Sequence, residues 1–175
     1  MSFILSRRWR GASLAAVAVL GTACSDMSPT EPQAPSFSSS SGPTLVECPT
    51  DATRSKTGTI GLLGGTISLD GHSISLPFGA VLLPVSITLT VPASQYMEVD
   101  ITANGLEHFE FLKPVDVTIS YGRCTRTDID HAPLSVWYID SSTKALLEDM
   151  GGVDDKTART VTFGTGHLSG YSIAQ

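Results

Sequence analysis

Polar and apolar residues alternate along this chain in one short run after another, with the two-residue period that puts successive side chains on opposite faces of a strand. Val85-Ser86-Ile87-Thr88-Leu89-Thr90-Val91 is apolar at every odd position and hydroxylic at every even one, and Val115 to Tyr121 repeats the pattern. Met97 to Ala103, Phe109 to Leu112, Leu134 to Asp140, Ala145 to Glu148, Arg159 to Phe163 and His167 to Ala174 read as further strands. Asn104-Gly105, Ser141-Ser142-Thr143 and Gly151 to Thr157 supply turn chemistry between them. No run holds helical periodicity, and nothing alternates strand with helix, which argues against a parallel sheet. The expectation is an all-β fold, an antiparallel β-sandwich of about nine or ten short strands.

The strongest local signal lies between Gly64 and Val81. Thr66 to Leu69 and Ser73 to Leu76 flank Asp70-Gly71, a tight hairpin turn pair. Pro77-Phe78-Gly79-Ala80 then ends the second strand at a corner, because proline cannot donate to a ladder. By the same logic Pro114 is expected at the start of its strand.

The first residues follow other rules. Arg7, Arg8 and Arg10 precede an uncharged run of small and apolar residues from Gly11 to Ala23, which is too short for a comfortable membrane span and has the layout of a secretory signal. Leu20-Gly21-Thr22-Ala23-Cys24 resembles a bacterial lipoprotein signal, although Gly21 stands where that family usually has its large aliphatic residue. The resemblance implies cleavage before Cys24 and lipidation of its sulfur; an ordinary secretory cut near Ala23, leaving a free thiol, is the alternative. Ser25 after the cysteine implies the outer membrane of a double-membrane cell envelope. Ser25 to Thr44 holds seven serines and four prolines with a single aromatic, Phe37. Such a segment cannot bury enough apolar surface to offset its ordering entropy, so a disordered tether of about 25 Å reach is expected. The organisation is therefore 1–23 signal peptide, 24–44 tether and 45–175 sandwich.

Without residues 1–23 the chain keeps 8 basic against 17 acidic residues, a formal charge of −9. An acidic chain without a basic cluster excludes nucleic-acid binding, which needs lysine and arginine grouped on one face. With Cys24 assigned to lipid, Cys48 and Cys124 form an even pair in a secreted chain, and a disulfide is the expectation. Neither cysteine has a second cysteine or histidine close by, so no metal site and no cofactor are expected. Asp128, Asp130 and His131, and Asp149, Asp154 and Asp155, lack calcium-loop spacing and read as turn chemistry. His72 and His108 read as exposed turn residues.

Gly64-Gly65 before Thr66 to Leu69, the corner Ile74-Ser75-Leu76-Pro77-Phe78-Gly79-Ala80, and the closing run His167-Leu168-Ser169-Gly170-Tyr171-Ser172-Ile173-Ala174 resemble the ZU-type domain, the β-sandwich of zona occludens proteins, netrin receptors and ankyrins. The resemblance covers roughly residues 58 to 174 and implies a sandwich used in protein interaction. It also raises a sharper possibility. His167-Leu168-Ser169 matches the tripeptide at which some sandwich domains cut their own backbone. His167 would take the proton of Ser169, whose oxygen would attack the Leu168 carbonyl to give an ester open to water. The competing reading is that His167 and Tyr171 cap and pack the last strand. Carbohydrate binding by Trp137 and Tyr138 is a third possibility, limited because adjacent strand residues face opposite ways. The sequence thus points to a non-enzymatic envelope lipoprotein, with membrane lipid at Cys24 and another protein of the envelope as partners, and autoproteolysis before Ser169 as the alternative.

Overall fold

A computed structural model describes residues 42–106 and 108–175, so the expected signal, Cys24 and most of the tether lie outside the described residues. Glu47–Thr50 (β1), Arg54–Ile60 (β2), Gly65–Leu69 (β3), His72–Leu76 (β4), Val85–Val91 (β5), Ser94–Tyr96 (β6) and Glu98–Ala103 (β7) make up the first half. Glu110–Ser120 (β8), a 3-10 turn at Asp128–Asp130, Ser135–Ile139 (β9), Leu146–Gly151 (β10), Val153–Asp155 (β11), Thr160–His167 (β12) and Gly170–Ala174 (β13) complete it. The fold is an all-β antiparallel sandwich. A six-stranded sheet in the order β10-β9-β13-β7-β5-β2 faces a five-stranded sheet in the order β11-β12-β8-β4-β3, and β1 pairs with β6 at one side.

The alternation decides which side chains meet between the sheets. Val85, Ile87, Leu89 and Val91 of β5 and Val99, Ile101 and Ala103 of β7 are buried against Ile74, Val117, Ile119, Val161 and Phe163 of the facing sheet. The intervening hydroxyl residues lie outward and bond across strands, as in Thr57 to Thr88 at 2.8 Å, Thr66 to Ser75 at 3.0 Å and Thr118 to Thr162 at 2.9 Å. Asp70 and Gly71 both take positive φ, 52° and 86°, and close β3 onto β4 with Leu69 opposite His72. That is the two-residue turn whose twist suits a hairpin.

Three features depart from the expectation. Among the described residues there are thirteen strands: the runs expected at Phe109–Leu112 and Val115–Tyr121 are one strand, β8, while β1, β2, β6 and β11, the last inside the polar run read as a turn, were not expected. Pro114 sits within β8 and not at a strand start. Its missing donor falls where the β8–β12 register shifts, between the Thr165–Val115 and His167–Glu110 pairs, so no regular ladder bond is lost there. The last strand begins at Gly170: His167 ends β12 in one sheet, and Leu168-Ser169 cross to β13 in the other.

The two ends of the sandwich differ. Thr44 and Gln175 exchange backbone hydrogen bonds of 3.0 Å beyond the end of β13. Cys48 and Cys124 are disulfide-bonded at that same end, past Ser120 of β8, with Cα atoms 5.2 Å apart. The antiparallel registers place the β2–β3 loop, the β4–β5 loop and the start of β8 at the opposite end.

Candidate functional site

The sequence-predicted residues fall into separate places. The His167-Leu168-Ser169 tripeptide is the crossover between sheets. Leu168 is fully buried, its amide donates to the Phe109 carbonyl at 3.1 Å, and the Ser169 carbonyl accepts from the Ile101 amide at 3.1 Å. Tyr171 donates its hydroxyl to the His167 carbonyl at 2.6 Å, and Thr165 Oγ1 donates to the same oxygen at 2.9 Å. This is a tyrosine corner, in which a strand tyrosine ties itself to the backbone a few residues upstream. Burial raises the Tyr171 pKa to about 12, so its proton stays in place for that bond. The His167 ring lies 3.4 Å from the Tyr171 hydroxyl through Nδ1 and edge-on to Tyr138. Besides its ladder pairing with Glu110, His167 bonds to Thr165 and Tyr171, and the φ angles of 167–169 are all negative.

The other polar candidates are held by local partners. Asp128 pairs with Arg126, Asp130 with Arg159 at 3.3 Å, and Asp154 with Lys156 at 2.7 Å while accepting the Tyr121 hydroxyl at 2.7 Å. Asp149 and Asp155 accept backbone amides of the turns that follow them. Trp137 donates its indole N–H to Ser135 Oγ at 3.0 Å, and Tyr138 packs on His167 and Tyr171.

His72 is not an exposed turn residue. As the first residue of β4 it shares the inward parity of Ile74 and Leu76, is buried, and accepts the Ser120 amide at Nδ1 across 3.2 Å. Burial, chiefly, and then the Arg123 charge lower its pKa from 6.5 to about 4; Asp70 acts weakly the other way and Arg54 weakly with Arg123. Its parity with Ile74 and Leu76 is visible in the sequence, but its partner 48 residues away is not.

Among the described residues, the end of the sandwich remote from Thr44 gathers several exposed large apolar side chains. The β2–β3 loop closes through Gly64 N–H to the Gly61 carbonyl at 2.9 Å, and Gly64 takes φ 76°. A Cβ at Gly64 would collide with the Leu76 carbonyl oxygen, so only glycine lets this loop lie on the end of β4. The β4–β5 loop docks beside it: Gly79 N–H donates to the Leu62 carbonyl at 2.8 Å, and Ala80 N–H to the Pro77 carbonyl at 3.1 Å. Ala80 and Val81 plug the core from this loop. Their neighbours go the other way: Leu63 is 84% exposed, Leu83 75%, Leu82 69% and Phe78 61%. Leu112 of β8, also exposed, joins them through its amide, which donates to the Ala80 carbonyl at 3.0 Å. Leu82, Leu83, Asn104, Phe109 and Leu112 border a shallow apolar groove of about 420 Å³. The exposed Glu110 also lines the groove. Lys113, next to Leu112 in β8, donates its Nζ to the Phe78 carbonyl at 2.9 Å and lies 5.7 Å from the Phe78 ring centre.

Sequence reasoning treated Gly64 to Val81 as architecture and missed this surface. Two signals were present. Leu62-Leu63 and Leu82-Leu83 are pairs of large apolar residues set in loops, outside any strand whose parity would assign one of each pair to the core. From Thr57 to Met97 the only formally charged residue is Asp70. No known family model matches the chain, and no curated protein sequence matches it.

Proposed function

We propose that this chain is a cell-envelope lipoprotein, acylated at Cys24, which displays its β-sandwich as a non-enzymatic interaction module of ZU-type character and contacts another envelope component through the apolar loop end. The observation that carries the reading is that loop end. Exposed leucines from two interlocked loops are held in fixed positions by backbone hydrogen bonds and buried plugs, away from the end to which the N-terminal segment joins. A domain rarely leaves so many large apolar side chains exposed at one end without use for them. Of the stretches that carry the ZU-type resemblance, Gly64-Gly65 and Pro77 to Ala80 lie in the loops of this end.

Two measurements test the reading. The intact mass of the secreted form is expected to equal residues 24–175 plus acyl chains, less two hydrogens for the disulfide; an unacylated Cys24 defeats the anchor, and a fragment of Ser169 to Gln175 defeats the non-enzymatic assignment. Leu63 replaced by photoreactive benzoylphenylalanine, in cells, is expected to yield envelope adducts that the same probe at Val153, also exposed, does not. Equal yields from the two positions would remove the loop end as the contact surface.

A further inference from the structure

We infer that the partner of the loop end is a phospholipid bilayer: Leu62, Leu63, Phe78, Leu82 and Leu83 dip into its acyl region while Lys113 rests at the level of the lipid phosphates. The inference rests on the contact-surface reading above and names what is contacted.

Residue type is the first argument. Protein interfaces draw their binding energy from tryptophan, tyrosine and arginine, with leucine under-represented among the residues that matter most and a polar rim around them. This end carries leucines and one phenylalanine, with no tryptophan, tyrosine or arginine in either loop. Charge is the second. Residues 61–64 and 77–84 contain no ionisable side chain, so their transfer into hydrocarbon desolvates no charge.

The cation is the third argument. Lys113 sits one residue behind Leu112 with its ammonium over Phe78, where a lysine stem covers apolar surface and its head meets the polar boundary.

Reach permits the contact. The twenty residues from Ser25 to Thr44 extend to about 66 Å, and β8, the longest described strand at 11 residues, measures about 36 Å. A sandwich tethered by its Thr44 end can therefore turn its far end back onto the leaflet that holds the anchor.

The test uses the secreted form, residues 24–175, with Cys24→Ser, which removes the acyl anchor, and Leu63→Cys carrying an environment-sensitive dye on the only free thiol. On vesicles of phosphatidylcholine, alone or with phosphatidylglycerol, the dye is expected to shift to the blue and to be quenched by a nitroxide on the lipid acyl chain. Leu82→Ser with Leu83→Ser lowers vesicle partitioning at least tenfold, whereas Leu147→Ser with Val153→Ser, exposed elsewhere on the sandwich, changes it less than twofold. A dye that stays in water on both vesicle types overturns the inference. If benzoylphenylalanine at position 63 then still yields protein adducts, the contact surface stands and its partner is a protein; if it yields none, both readings fall together.

Discussion

The Tyr171 hydroxyl and the His167 carbonyl, 2.6 Å apart, join the end of β12 to the start of β13, two strands that belong to different sheets. Between them the chain leaves β12, buries Leu168, and enters β13 at Gly170. The bond therefore fixes the crossover angle, and the residues that resemble a self-cleavage motif owe their placement to it. Thr165 Oγ1, 3.2 Å from the same hydroxyl, makes the tie three-cornered.

Tyr171→Phe keeps the ring, with its edge contact to Phe163 at 4.9 Å between centres, and deletes only the hydroxyl. The His167 carbonyl keeps Thr165 as donor, so the cost is that of a lost buried hydrogen bond, about 1 to 2 kcal/mol. Urea unfolding should show it as a lower midpoint at unchanged slope. Adding Thr165→Val should cost more than the two single changes together, since the carbonyl then loses both donors.

Glu98 and Lys144 make a second long-range tie. Lys144 Nζ lies 2.7 and 2.8 Å from the two carboxylate oxygens, and the Glu98 side chain is 3% exposed. Lys144→Ala leaves that carboxylate buried and unpaired and is expected to cost roughly 3 kcal/mol. Glu98→Gln in the same chain should restore part of the loss, as measured by a double-mutant cycle; additive effects would show the pair to be uncoupled.

The disulfide closes a loop with a sequence separation of 76 between Cys48 and Cys124, at the end where the N-terminal segment joins. Restricting the unfolded chain that far is worth about 4 to 5 kcal/mol on the entropic account. Cys48→Ala with Cys124→Ala should lower stability by nearly that amount in chemical denaturation, with a larger m-value because the unfolded chain expands. The removal of both sulfurs avoids a stray thiol.

Much of this architecture follows from local rules. The strict parity of Val85 to Val91 and Val115 to Tyr121, the positive φ demanded at Asp70-Gly71, and an even pair of cysteines each point to one structure. What stayed hidden depends on which segments meet. Pro114 fits inside β8 only because the ladder to β12 is irregular there. Val153–Asp155 becomes a strand because Thr160 to Thr162 offer it a free edge. His72 has a partner only once β4 lies beside β8. The loop end is likewise a product of topology: Leu62 and Leu83 are twenty-one positions apart, and only the return of β4 and β5 brings their loops together.

His72 makes the sharpest prediction for solution behaviour. The fold holds its ring neutral, with Nδ1 as the acceptor for the Ser120 amide, and protonation would set a donor against that donor. In the unfolded chain the ring takes a proton near pH 6.5, while in the folded chain it resists until about pH 4. Between those values the unfolded state binds more protons, so stability falls as pH drops. The His72 contribution is complete above pH 6.5 and lost by about pH 4, and the gap is worth roughly 3 kcal/mol at most. Carboxylates titrate in the lower part of the same window, so the measurement is the difference between the wild-type chain and His72→Asn, whose Oδ1 can still accept from Ser120. Urea midpoints from pH 7 to pH 4 should fall more steeply for the wild type. Parallel curves would mean that the buried ring is charged in the fold or titrates alike in both states.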